Sequence, residues 1–421
     1  MGDVIIDGLT GANRLVVLDA NGKIPALDGS AVTAIAGANF STGTIPVARL
    51  DTGTTAGKVV KLDGNAKLPA VSGAALTGVA GATKNASDPV ITTNPSGGVG
   101  TEWHNTTSGE VYVCTDATAG ENVWKNVGGH SGDVAPYHGY GSSYGFLIGG
   151  NPCNDCERFP FASDSASVDL NTTLTSGRLH ASGGNFSTTH GYACGGSGSS
   201  NIMDRYAFVS TANCVDWGDL SQGRSAVASA SSETYGYSMG GEAPGYGQTT
   251  IDKFSLSASG NATDVGDLTK GAYNYPAGHQ SSTYGYTSSA TRMDPHADSN
   301  IIDKFPFATD TNASDVGDLT AAYWGGAGIS SATYGYTTGG NPSRNVISRF
   351  SFTTDGNSTD WADLSAGNDS SSGTQSTTHG YSLAGNNDST RMDKFPFASQ
   401  TNATDIANLA VGGKGKSSAQ Y

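Results

Sequence analysis

Three observations predict an all-β chain built from repeated sheets. Sixty of its 421 residues are glycine, only 14 % are charged, and one sequence unit recurs six times. Glycine with Ser, Thr, Asn and Asp favours turns and caps over helix interiors, while Tyr, Phe, Val and Thr supply strands. A chain of this length fits two or three units, or one large domain with an appendage.

The repeat is anchored on an aromatic-Gly-aromatic triplet. Its copies are "SSYGFLIGG" at Gly145, "TTHGYACGG" at Gly191, "ETYGYSMGG" at Gly236, "STYGYTSSA" at Gly285, "ATYGYTTGG" at Gly335 and "TTHGYSLAG" at Gly380. Each is followed by a basic residue in an alternating aromatic segment: "ERFPF", "DRYAF", "DKFSL", "DKFPF", "SRFSF" and "DKFPF". A polar turn and a short acidic segment close the unit, as in "TDVGDL" and "TDWADL". The spacing of 45 to 50 residues with four candidate strands is that of a β-propeller blade, and six copies predict a six-bladed ring over residues 130–421. In "KFPF" the two phenylalanines share one face, and the proline, lacking a backbone donor, predicts a bulge or an outer position.

A catalytic group is needed once, whereas this unit is present in every copy, so the repeat reads as architecture. Arg158, Arg205, Lys253, Lys304, Arg349 and Lys394 hold equivalent positions and are expected to pair with carboxylates or carbonyls between strands; the rival reading is a ring of cations around an axial anion. The chain ends "GGKGKSSAQY", like the start of another repeat, so 410–421 is a candidate first strand for the opening blade. Residues 134–143, "VAPYHGYGSS", resemble the same strand, which leaves two candidates.

Residues 1–99 read as a repetitive shaft or anchor. "LVVLDANGKIPALDGSAVTAI" at 15–35 and "KVVKLDGNAKLPAVSGAALTGV" at 58–79 are two copies of one unit, and their few large hydrophobes predict burial between chains. Residues 100–129 read as a small β-hairpin module whose miniature core is Trp103, Tyr112 and Trp124, with a sugar platform as the alternative.

The net charge of −15, without clustered Lys and Arg, argues against a nucleic-acid partner. No run of about 18 apolar residues predicts a membrane span. The start, "MGDVIIDGLTGANRL", lacks a signal-peptide pattern, and Ile6 breaks the myristoylation pattern. Five cysteines are an odd, sparse set that suits a reducing compartment. "CNDC" at 153–156 has no second half-site at finger spacing, so no metal or cofactor is expected.

The order "YGYxxGG", "DKFPF", "DVGDL" resembles kelch-type propeller repeats, without their regular later Trp; only Trp217 and Trp361 come close. The tandem "KFPFATDTNASDVGDLT" with "THGY" is similar to repeats in structural and tail-fibre-like proteins of tailed phages of marine cyanobacteria and related bacteria. The N-terminal units resemble the shaft and anchoring segments of such fibres. The resemblance implies a homotrimer through the N-terminal region and partners among other tail or capsid proteins.

In a four-stranded blade the two-to-three connections share one face with the blade-to-blade connections. They diverge here, from "NPCNDCE" to "EAPGYGQTTID" and "SSATRMDPHADSNIID", whereas the opposite turns are nearly uniform. The candidate binding residues on that face are Tyr246, Tyr273, Tyr275, Tyr323 and Trp324 as stacking faces, with Arg292, His296 and Arg344 as polar partners. For Tyr323 and Trp324, packing between blades is the competing reading.

The resemblance thus implies a virion structural protein, a tail fibre whose propeller tip binds a host surface glycan or protein. Two alternatives accompany it: a capsid decoration or surface filament, and a propeller glycosidase using carboxylates such as Asp294, Asp298 and Glu242. No constellation of acid, nucleophile and arginine cluster stands out, so an enzyme is not expected.

Overall fold

The structure, a computed structural model, describes residues 82–421 apart from 128–132, 135–136, 138, 151–154, 179, 181–182, 245, 293–296 and 387–388. The two shaft units at 15–35 and 58–79 lie outside the described residues, as do Cys153, Asp294 and His296. Every regular element among the described residues is a β-strand.

A small sheet comes first, formed by Thr83–Asn85, Glu102–Asn105, Val111–Asp116 and Val123–Asn126 in that order. Trp103, Tyr112 and Trp124 fill its core together with Cys114, and the two indoles meet edge to face at 5.9 Å. Its first strand falls within the stretch read as shaft. "TKN" has no apolar alternation to announce a strand. The segment is held by parallel pairing to Glu102–Asn105 and by the Trp103 Nε1–H donating to the Ser87 carbonyl at 2.9 Å.

Residues 141–421 form six sheets, each with a four-stranded antiparallel core. Sheet one takes its inner strand from the C-terminus: Ser417–Gln420 pairs with Tyr144–Ile148, Ser417 opposite Ile148 and Gln420 opposite Gly145. Residues 410–421 therefore supply the missing strand. Of the other candidate, Gly141 instead bridges to Ser376 and donates its N–H to the Gln375 carbonyl at 3.0 Å.

The repeat motif has a direct steric meaning. In all six sheets the central glycine of the triplet pairs across the ladder with the first aromatic of the next strand, for example Gly236 with Phe254 and Gly380 with Phe395. A Cβ at Gly236 would stand 2.5 Å from the Phe254 ring, so the ring lies flat over the bare backbone. The aromatic after the glycine points to the next sheet: Tyr237 packs on Phe305 at 5.3 Å, and Tyr286 on Phe350 at 5.6 Å.

The proline of "KFPF" ends its strand without cost, because pairing to the fourth strand stops two residues earlier, at Lys304 opposite Ser314 for Pro306. The bulge expected nearby falls before the acid that precedes the basic residue, between Ile302 and Asp303 in sheet four.

The inner strands lie side by side in chain order. Gly183–Phe186 neighbours Ala228–Ser231, followed by Ala277–Gln280, Ala327–Ser330 and Ser372–Gln375; Ser417–Gln420 touches both Ser372–Gln375 and Gly183–Phe186.

Candidate functional site

The two ends of the sheets differ as the sequence suggests. One end carries the uniform turns; the other carries the two-to-three and sheet-to-sheet connections. At this divergent end sheet three is extended. Its strands Tyr246–Ser255 and Thr263–Tyr273 run on past the common core, and the insert of the next sheet folds back onto them as Ala290–Arg292 and Ala297–Ser299. Ala272 pairs with Arg292 and Tyr273 with Thr291, making one seven-stranded sheet with the short strand Glu242–Ala243.

That extension brings Tyr246, Tyr273 and the Arg292 backbone together. Tyr246 is 65 % exposed, the most open aromatic among the described residues, and pairs with Ala243. The Tyr273 ring lies beside Gly247, where a Cβ would meet it at 3.0 Å. A polar chain crosses the insert: Asn274 Nδ2 donates to Thr291 Oγ1, which donates to Asp298 Oδ1, both at 3.2 Å. Glu242 and Asp298 are exposed.

Tyr275 lies apart, half-buried with φ of 54°. Its hydroxyl contacts His180 Nδ1, and burial, with Glu242 nearby, pushes its phenol above the usual range. Burial and then Lys414 lower the pKa of His180.

Tyr323 is 1 % exposed and packs with Tyr286, Ile302 and Phe350, so it has no face to offer a ligand; interior packing is the correct reading. Arg344 lies over its ring at 5.0 Å. Trp324 is half-buried and accepts at its carbonyl from Asn341 N–H at 2.7 Å.

The six basic positions are all engaged, by a carboxylate, by a ring or, for Lys253 over Tyr235 and Lys304 over Tyr284, by both. Three lysines reach a turn carboxylate of the following sheet: Lys253 to Asp310 at 2.8 Å, Lys304 to Asp355 at 2.8 Å, and Lys394 to Asp164 at 2.7 Å. Three arginines lie over rings, Arg158 on Tyr144, Arg205 on Trp217 and Arg349 on Tyr334 and Trp361, at 3.5–4.4 Å. The planar guanidinium stacks where the ammonium acts as a point charge.

Sequence reasoning passed over the acid preceding each of these cations. Glu157, Asp204, Asp252, Asp303 and Asp393 are at most 1 % exposed, and Ser348 holds the sixth position. Three of the acids meet a cation on the connection arriving from the preceding sheet, whereas Asp393 pairs with Arg391 of its own strand at 2.9 Å. Arg224 meets Asp252 at 2.5 Å, Arg178 meets Asp204 at 2.9 Å, and Lys416 meets Glu157 at 2.6 Å. Where Ser348 replaces the acid, Tyr323 stands at the position of Arg224, and Thr320 supplies a hydroxyl at 3.1 Å. An uncharged pair thus replaces an ionic one, which avoids burying a lone charge. The signal was the recurrent acid in "DRY" and "DKF" together with "LTSGR" and "LSQGR" upstream.

Four cysteines are free and buried, and burial raises Cys194 and Cys214 to about 12. Among the described residues no group of three His, Cys, Asp or Glu is placed to hold a metal ion. Compared with known proteins, the chain matches no family model and no curated sequence.

Proposed function

We propose that the chain is a virion structural protein of the tail-fibre kind, in which the six sheets are blades of a closed propeller that presents its divergent end to a host-surface glycan. Closure is supported by two sets of contacts in which sheet six meets sheet one as each sheet meets the next, inner strands and aromatic pairs, and by Lys394–Asp164, which repeats the lysine–aspartate pairs that join sheets three to four and four to five. The residues preceding Thr83 serve as shaft, and through them the chain trimerises and docks on other tail or capsid proteins.

The observation that carries the recognition role is the segregation of the two ends. The small module touches the uniform end, where Ser282 Oγ donates to Glu121 Oε1 at 2.6 Å. The varied connections, with the exposed Tyr246, lie at the end turned away from it. Ring faces with polar rims suit a sugar surface, and variation confined to one end of a uniform scaffold is how recognition is written on repeats.

An antibody fragment raised against the Tyr246 loop tests this. Electron micrographs should show it at the distal ends of tail appendages, and it should block adsorption to cells. Label on the capsid or along a cell-made filament, or adsorption undiminished by the fragment, would sink the reading.

A further inference from the structure

Between the six inner strands runs an axial space of about 70 Å³, or about 650 Å³ when the solvent beyond its mouth is counted. At the uniform end it is stopped by the chain itself. The Gly139 carbonyl accepts from Gln375 Nε2 at 3.1 Å and Gln420 Nε2 at 2.5 Å. Gly139 has φ of 67°, and a Cβ there would stand 2.1 Å from Gln280 Nε2 and 2.9 Å from the Phe186 ring. Only glycine fits this position, in conformation and in space.

At the divergent end the mouth is spanned by one side chain. Tyr275 leads into the inner strand of sheet four, yet its ring lies where a Cβ on Gly415 would meet it at 2.7 Å, and Gly415 leads into the inner strand of sheet one. In a ring of six those sheets are opposite, so Tyr275 crosses the axis. Its hydroxyl ends on His180, before sheet two, and both residues sit in left-handed backbone, at 54° and 60°. Such conformations are strained for residues with a side chain and persist where surrounding structure holds them.

The walls are uncharged. Among the described residues no carboxylate lines the space, and the one cation that does, Lys416, turns its ammonium onto Glu157. What faces inward is hydroxyl and amide: Ser229, Ser330, Ser371 and Gln280. Gln280 is 4 % exposed at the floor of the space: its Oε1 accepts from Ser231 N–H at 2.7 Å, and its Nε2, without an acceptor, is covered by Gly139. A buried amide left without a partner is unfavourable.

We propose that this axial space is a binding site for a small uncharged polyhydroxyl molecule, in the range from glycerol to a monosaccharide, entered only from the divergent end past Tyr275, whose contact with His180 holds the mouth shut. Ligand hydroxyls pair with the serine walls above the Gln280 amide, while an ionic ligand would find no counter-charge. The inference rests on the closed ring proposed above and is independent of what the exposed face recognises.

The test follows the Gln280 side-chain amide by nitrogen-15 NMR on the full chain, the peak being assigned by its loss in Gln280→Met. Glycerol or D-glucose should shift that peak saturably, and D-glycerate should not. Tyr275→Gly, which keeps the left-handed backbone and opens the mouth, should speed exchange and lower the midpoint several-fold. A peak unmoved by both neutral probes in the wild type and in Tyr275→Gly overturns the proposal, as does an equal response to glycerate. Cell adsorption measured on the same proteins reports separately on the exposed face.

Discussion

Tyr381 in sheet six packs its ring 5.3 Å from Phe159 in sheet one, the same separation as Tyr237 from Phe305 two sheets in the middle of the chain. The sheets first and last in sequence are thus joined as tightly as neighbours. The contact depends on the C-terminal strand, because Tyr144–Ile148 would otherwise present an unpaired edge. Deleting residues 417–421 should abolish the cooperative thermal transition and send the protein into aggregates on size exclusion. A sharp transition retained by the truncated chain would show that sheet one does not need its C-terminal strand.

Gly236 answers to the same geometry at a single atom. Adding one methyl there drives it into the Phe254 ring, and overpacking of this kind costs about 1–3 kcal/mol. Gly236→Ala should lower the urea midpoint accordingly, and Phe254→Leu in the same chain should recover part of the loss. Additive losses in the double variant would mean that the glycine is kept for another reason.

The paired charges separate into two energetic classes. Arg224 and Asp252 are both 0 % exposed, so Arg224→Met strands a carboxylate and should cost about 3–5 kcal/mol. Lys304 faces Asp355, which is 51 % exposed, and Lys304→Met should cost less than about 1 kcal/mol. Arg224→Tyr with Asp252→Ser, the pair already present as Tyr323 and Ser348, should recover most of the first loss. Denaturant titration of these variants decides between the two classes.

Much of this was legible in the sequence, for a physical reason. A unit that must bury the same faces six times repeats its aromatics and glycines, so the four-stranded sheets could be read directly, with the C-terminal strand one of two candidates for sheet one. The ties between sheets could not. Arg224 and Asp252 are 28 residues apart, and the cation is Arg, Lys or replaced by Tyr from copy to copy, so no fixed spacing announces the pair. For Tyr323 the sequence leaves both a ligand face and packing between blades open, because nothing local signals that it stands in for a buried arginine. The insert at 289–300 was visible by its length, but its pairing to the preceding sheet is non-local.

His279 sets an acid limit on the fold. It is 1 % exposed between sheets four and five, with Nδ1 at the Ile329 carbonyl and Nε2 at Ser288 Oγ, and burial lowers its pKa from 6.5 to about 4. The unfolded chain therefore takes up the proton first as pH falls. The stabilisation by neutral His279 is fully present above 6.5 and is lost as pH falls from there through 4, on the order of 3 kcal/mol in all. His279→Gln should narrow the stability difference between about pH 7 and about pH 4 relative to the wild type. An unchanged difference would mean that carboxylates alone govern acid unfolding.

Tyr246 and Tyr323 give opposite expectations from the same substitution. Tyr246 is 65 % exposed and its removal touches no core, so Tyr246→Ala should stay within about 0.5 kcal/mol of wild-type stability. If the divergent end recognises a glycan, the loss of an exposed ring should weaken cell binding about tenfold, equivalent to about 1.4 kcal/mol. Tyr323→Ala empties a packed site and should cost about 3–5 kcal/mol, with binding per folded molecule unchanged. Binding of full-length variants to cells, measured beside thermal melts, reads both at once. Undiminished binding by Tyr246→Ala at full stability would remove the ring from the recognition surface, whereas reduced binding per folded molecule by Tyr323→Ala would show that the interior beneath that surface shapes it.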